Sequence, residues 1–231
     1  MSEVVQDQQD QQDQQNQQAQ RKRRQAYGPL LHQLRLWSGL ILFVYVTTHL
    51  VNHALGLISL AAMEAGREVF LFLWRGPLGT PVLYGALLVH ALLAFVSLYQ
   101  RRHFRLARGE RVQFVLGFLI PPLLFFHIIG THLAHDWFGT TDSYTYVVLN
   151  YWVLIPVVGG LQSIQVIIIW LHGCMGLYFW LRLKPWYARI STSLFSVALL
   201  LPVLALLGFS QAGSNTPSSL STRRHRLSRL C

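Results

Sequence analysis

Long apolar runs alternate with short polar segments from residue 34 to residue 209, the apolar stretches covering roughly 34–60, 80–100, 112–135, 161–181 and 190–209. At a helical rise of about 1.5 Å per residue, about twenty residues cross a hydrocarbon core of about 30 Å. The pattern therefore predicts an all-α fold, a membrane-spanning bundle of five helices. The first run is too long, too late and too rich in histidine to be a cleaved signal peptide.

The polar segments set the orientation. The chain has a formal net charge of +10, but its charges avoid the apolar runs and gather in the connections, which argues for a membrane protein and against nucleic acid. Arg21-Lys22-Arg23-Arg24 precede the first run, with Arg35 at its edge; Arg101, Arg102, Arg105, Arg108 and Arg111 fill the second connection, and Arg182, Lys184 and Arg189 the fourth. The first connection balances Glu64 and Glu68 against Arg67 and Arg75, and the third carries only Asp136 and Asp142. Cationic loops stay in the cytoplasm, so the N-terminus is expected there, in a multi-pass membrane protein. Trp37, Trp74, Trp137, Trp152 and Trp186 fall near run ends, where aromatic belts belong.

Three regions follow. Residues 1–29 hold a Gln/Asp tract without apolar partners and a basic cluster, and are expected to be disordered. Residues 30–210 form the bundle. Residues 211–231 read as a disordered basic tail whose four arginines conflict with the external position that five spans impose. Truncation or a frameshift before a sixth span is the favoured explanation. No internal repeat is strong enough to use. The two cysteines, Cys174 and Cys231, make no disulfide framework, and no CxxCH motif is present for covalent haem.

Histidine supplies the candidate chemistry. His49, His90, His127 and His172 lie deep within four different runs, and ionisable residues at such depth face a bundle interior and serve a pathway or a ligand. Counting from the flanking arginines, His90 and His172 lie about 15 Å from the cytoplasmic edge, and His49 and His127 roughly 21–24 Å from it. Two level pairs on four helices suit two flat apolar cofactors, each ligated from both faces. That is bis-histidine haem b, closed to further ligands and suited to electron transfer. The vertical offset of about 6–9 Å is small for two stacked haems, and an alternative outer pair, His53 with His132, would sit higher. His135 looks interfacial. The competing reading makes these histidines hydrogen-bonding glue between helices, but four on four spans, paired in depth, favour ligands.

The motifs around these residues resemble a known family. Thr48-His49-Leu50-Val51-Asn52, Val89-His90-Ala91, Phe126-His127-Ile128 and Leu171-His172-Gly173 resemble the haem motifs of the succinate dehydrogenase and fumarate reductase cytochrome b subunits. There the first span pairs with the third and the second with the fourth, so the resemblance implies His49 with His127 and His90 with His172. A closer similarity, over about residues 30–210, is to the dihaem membrane anchor of certain proteobacterial class III adenylate cyclases. It is carried by residues 49–57, Ile120-Pro121-Pro122, residues 130–135 and residues 180–187.

The resemblance implies two haem b groups in a redox or quinone-responsive sensor that, in intact relatives, regulates an adenylate cyclase. Nothing after Gly213 looks like a cyclase, so catalytic activity does not carry over. Arg101, Arg102 and Arg182 are candidate partners for haem propionates on the cytoplasmic side. The alternative is the cytochrome b anchor subunit of a succinate dehydrogenase or fumarate reductase-type complex, passing electrons between quinone and an iron-sulfur partner. The implied partners are the quinone pool, the lipid bilayer and a cytoplasmic cyclase or iron-sulfur subunit, with homodimerisation as a further option.

Overall fold

The computed structural model describes residues 2–100, 106–141 and 143–227. Every regular element among them is helical, in the order α1 (Ser2–Ala54), α2 (Leu60–Trp74), α3 (Gly79–Tyr99), α4 (Arg108–Ile128), α5 (Ala134–Phe138), α6 (Tyr144–Val148), α7 (Pro156–Leu181) and α8 (Tyr187–Leu227). Five segments are long and apolar enough to cross a membrane: Tyr27–Leu57, Gly79–Tyr99, Arg108–Thr131, Pro156–Leu181 and Tyr187–Ser214. The chain is an all-α, multi-pass membrane protein. Apolar side chains such as Val44, Leu92, Phe95, Phe118 and Phe195 point outward, which is costly in water and neutral in lipid.

Helix α1 departs from the expected boundary. It begins at Ser2 and runs through the Gln-rich tract that composition marks as disordered. Gln, Ala, Lys and Arg are good helix formers, and the first glycine is Gly28. Gln8, Gln12, Gln14, Gln15 and Gln18 are exposed, so local propensity and not packing supports this part. Helix α8 likewise continues to Leu227 through the expected tail; its composition offers no comparable reason.

Local chemistry sets the other ends. Ser59 caps α2 by accepting from the Ala62 amide at 3.0 Å, and Ser143 caps α6 by accepting from Tyr146 at 3.2 Å. Gly139, with φ +63°, ends α5 while its amide donates back to the His135 carbonyl at 2.9 Å. Pro156 opens α7, where its missing N–H costs nothing.

Packing is organised around α1, which runs along α3 and α8, while α4 runs along α7 and α7 also touches α1 and α8. The end of α1 meets α8 at Gly56 and Gly208, where a Cβ on either glycine would strike the other strand of backbone; small residues allow this approach in membranes. At one end of the spans, α2, α6, the π-helical turn Leu149–Leu154 and the end of α8 build a cap. Met63, Tyr144, Val148, Tyr151, Phe209 and Ala212 form its buried cluster. The Asn52 amide donates to the buried Tyr144 hydroxyl at 2.8 Å, and Glu64 joins Arg67 at 2.9 Å and the Thr145 amide at 3.1 Å. The cap lies at the end of the bundle opposite the start of α1.

Candidate functional site

The four sequence-selected histidines meet in the expected pairs. His90 on α3 and His172 on α7 have ring centroids 6.3 Å apart with planes at 89°, and His49 on α1 and His127 on α4 have centroids 6.3 Å apart at 67°. Neither α3 with α7 nor α1 with α4 packs along its length. Each pair therefore bridges helices that are otherwise apart.

The pair away from the cap is held by backbone. The His90 Nδ1–H donates to the Arg35 carbonyl at 3.2 Å, with the Ser38 hydroxyl 3.4 Å away. The His172 Nδ1–H donates to the Gln113 carbonyl at 3.2 Å, and the Gln113 amide returns a bond to the His172 carbonyl at 3.0 Å. Fixing the proton on Nδ1 leaves the Nε2 lone pair as a ligand. Each ring lies on a glycine: a Cβ on Gly39 would come 2.9 Å from His90 Cε1, and one on Gly117 would come 2.9 Å from His172 Cε1.

The cap-side pair is supported differently. The His127 Nδ1–H donates to the buried Gln162 side chain at 3.1 Å. His127 stands between Pro121-Pro122, which lack amide donors, and the π-helical turn Ile129–Leu133; Thr131 donates to the His127 carbonyl at 2.7 Å. Prolines and π-turns of this kind cluster at functional positions in helices. His49 packs against Tyr45 and Phe70, and its buried Nδ1 has no hydrogen-bond partner among the described residues. Its Nε2 lies 3.2 Å from Nε2 of His53, which is buried against Tyr144 and Phe209. His53 thus reaches the same spot as His49 and stands as a third histidine there. His135 is exposed and donates to the Thr140 carbonyl at 2.6 Å, outside either pair.

The two halves repeat one unit. Arg35, Gly39 and His49 on α1 have the spacing of Gln113, Gly117 and His127 on α4, and each glycine carries the ring of a histidine from the partner helix. Ten residues, about 15 Å of helix rise, separate each glycine from the histidine on its own helix. The offset between the layers is thus larger than the 6–9 Å expected from the flanking arginines, because those arginines do not mark a common depth. Between the layers Phe43 stacks on Trp170 at 5.2 Å.

The donor set fits a metal held from two sides. A metal–imidazole bond of about 2 Å, extended by about 1.1 Å from nitrogen to ring centre for bonds of about 1.35 Å, would put two rings about 6.2 Å apart. The two pairs have centroids 6.3 Å apart, with His49 Nε2 lying against His53 Nε2 at 3.2 Å. Among the described residues no group of three or more His, Cys, Asp or Glu forms a conventional metal cluster; bis-histidine haem uses only two protein ligands per iron. Of the candidate propionate partners, Arg182 is exposed, its guanidinium 5.6 Å from the Tyr178 ring centre and 5.3 Å from that of Phe179. Arg101 and Arg102 lie outside the described residues, as does the side chain of His132. Sequence reasoning missed Gly39, Gly117 and Gln162; the shared ten-residue spacing from glycine to histidine is the signal that would have found the first two. No family model, no curated protein and no solved structure matches the chain.

Proposed function

We propose that this chain is a dihaem b membrane anchor of a bacterial inner membrane, N-terminus cytoplasmic, acting as a redox or quinone-responsive sensor. The observation that carries the reading is the pair of 6.3 Å histidine facings, one of them with both tautomers fixed by backbone carbonyls. Haem b, when bound, supplies one-electron exchange at an iron closed to other ligands. His90 and His172 would hold one group, His49 and His127 the other. The Arg35 and Gln113 carbonyls keep the inner Nε2 atoms unprotonated, and the glycines let the rings sit close to α1 and α4. Arg182 would pair with propionates, as would Arg101 and Arg102 if they lie where the charge pattern of the sequence predicts. The cytoplasmic ends of α3, α4, α7 and α8 would pass a change in helix packing to a cyclase-type partner.

The test is extraction and spectroscopy. Purified protein from haem-replete cells should yield two b-type haems per chain, removable with acid acetone. His90→Ala or His172→Ala should abolish one b centre and spare the other, and His49→Ala or His127→Ala should do the reverse. A colourless wild-type protein would overturn the reading; loss of the second centre in His53→Ala but not in His49→Ala would exchange those two ligands.

A further inference from the structure

We infer that Gln162 is a positioning residue that sets the redox potential of the cap-side site alone, an assignment that rests on the dihaem reading. The four ligand histidines are not supported alike. His90 and His172 donate Nδ1–H to main-chain carbonyls, an arrangement no side-chain substitution removes, whereas His127 donates to the Gln162 side chain at 3.1 Å. His49, its facing partner, has no acceptor at Nδ1 among the described residues. Gln162 is therefore the one side chain that supports a ring of the cap-side pair through Nδ1 among the described residues. It is 8% exposed, within the membrane-spanning segment Pro156–Leu181. An amide in that setting costs free energy unless its hydrogen bonds are made.

The chemistry gives a direction. An acceptor at Nδ1–H holds the ring in the tautomer that leaves Nε2 free, fixes its plane and makes Nε2 the stronger donor. A stronger donor favours the oxidised metal, so Gln162 lowers the potential of the centre that His127 ligates. Removing the acceptor should raise it. Replacing the amide by a carboxylate, a stronger acceptor, should lower it.

The experiment is a spectroscopic redox titration of the full-length protein in detergent, comparing wild type, Gln162→Leu and Gln162→Glu. The centre under test is the one that disappears in His127→Ala. Gln162→Leu should shift its reduced-to-oxidised ratio at fixed potential by about tenfold toward reduced, or about 59 mV for a one-electron couple, and leave the other centre in place. Gln162→Glu should move it the opposite way, and it keeps the test open if Gln162→Leu does not fold. An unmoved centre in Gln162→Glu, or equal shifts in both centres, would overturn the assignment. A wild-type chain without haem would instead overturn the dihaem reading on which it stands.

Discussion

Substituting Gly39 tests the histidine layer away from the cap without replacing a histidine. A methyl group there would lie 2.9 Å from His90 Cε1 and 3.2 Å from Nδ1, closer than carbon contacts tolerate. The ring cannot swing away freely, because its Nδ1–H is bound to the Arg35 carbonyl on the same helix. Overpacking of this kind costs about 1–3 kcal/mol, while replacing a helical glycine by alanine returns about 1 kcal/mol. The net loss for Gly39→Ala is then about 0–2 kcal/mol, which by itself is a weak signal. Gly85 on α3, where a Cβ would meet nothing within 4 Å, isolates the clash: Gly85→Ala should be neutral or stabilising. The difference between the two variants should come to about 1–3 kcal/mol. Thermal melts followed by circular dichroism measure that difference. Gly117→Ala should reproduce the effect through His172, although it lies on a different helix. If Gly39→Ala melts like Gly85→Ala, the glycine does not serve as the seat of the His90 ring.

Other expectations follow from single contacts. Tyr144→Phe strips the Asn52 amide of its partner in a buried setting, so the melting free energy should fall by about 1–3 kcal/mol; an unchanged melt would mean that water or another group replaces the hydroxyl. Trp170→Phe removes the 2.7 Å bond from the indole to the Ala198 carbonyl and should cost about 1 kcal/mol or more, measured the same way. In a background lacking Cys174 and Cys231, Phe72→Cys on the cap side should react with an impermeant thiol reagent in right-side-out vesicles. Lys184→Cys should react only after permeabilisation, and the reverse pattern would invert the proposed orientation.

Much of the fold was legible because a lipid environment writes itself into long runs of apolar residues. The span ends fell within a few residues of Gly79–Tyr99 and Pro156–Leu181, and counting helix rise from the arginines put His90 level with His172, while at the outer level it left His53 with His132 open beside His49 with His127. The same counting underestimated the distance between layers. Arginine side chains reach the interface from different backbone depths, and only the contacts of Gly39 with His90 and of Gly117 with His172 supply a ruler inside the bundle. Helix α2 was hidden because Leu60–Trp74 carries Glu64, Arg67 and Glu68 and so reads as a connection. Gln162 was hidden because its role depends on α7 facing α4, which no pattern within α7 records. The repeated unit was hidden because it rests on three positions per half, too few to stand out in two dissimilar helices.

The cap gives the bundle a fixed end and a free one. Its buried cluster gathers Met63, Tyr144, Val148, Tyr151, Phe209 and Ala212, whereas α3 buries only Ala86 and α4 no residue at all. Helices α3 and α4 stand outside that cluster and are held instead by α1 and α7, along which they run. A slight tilt at either histidine layer is then passed along α3 and α4 to where they emerge on the far side. Bracing those tips, by a crosslink or a bound partner, would damp the motion far more than any reinforcement of the cap.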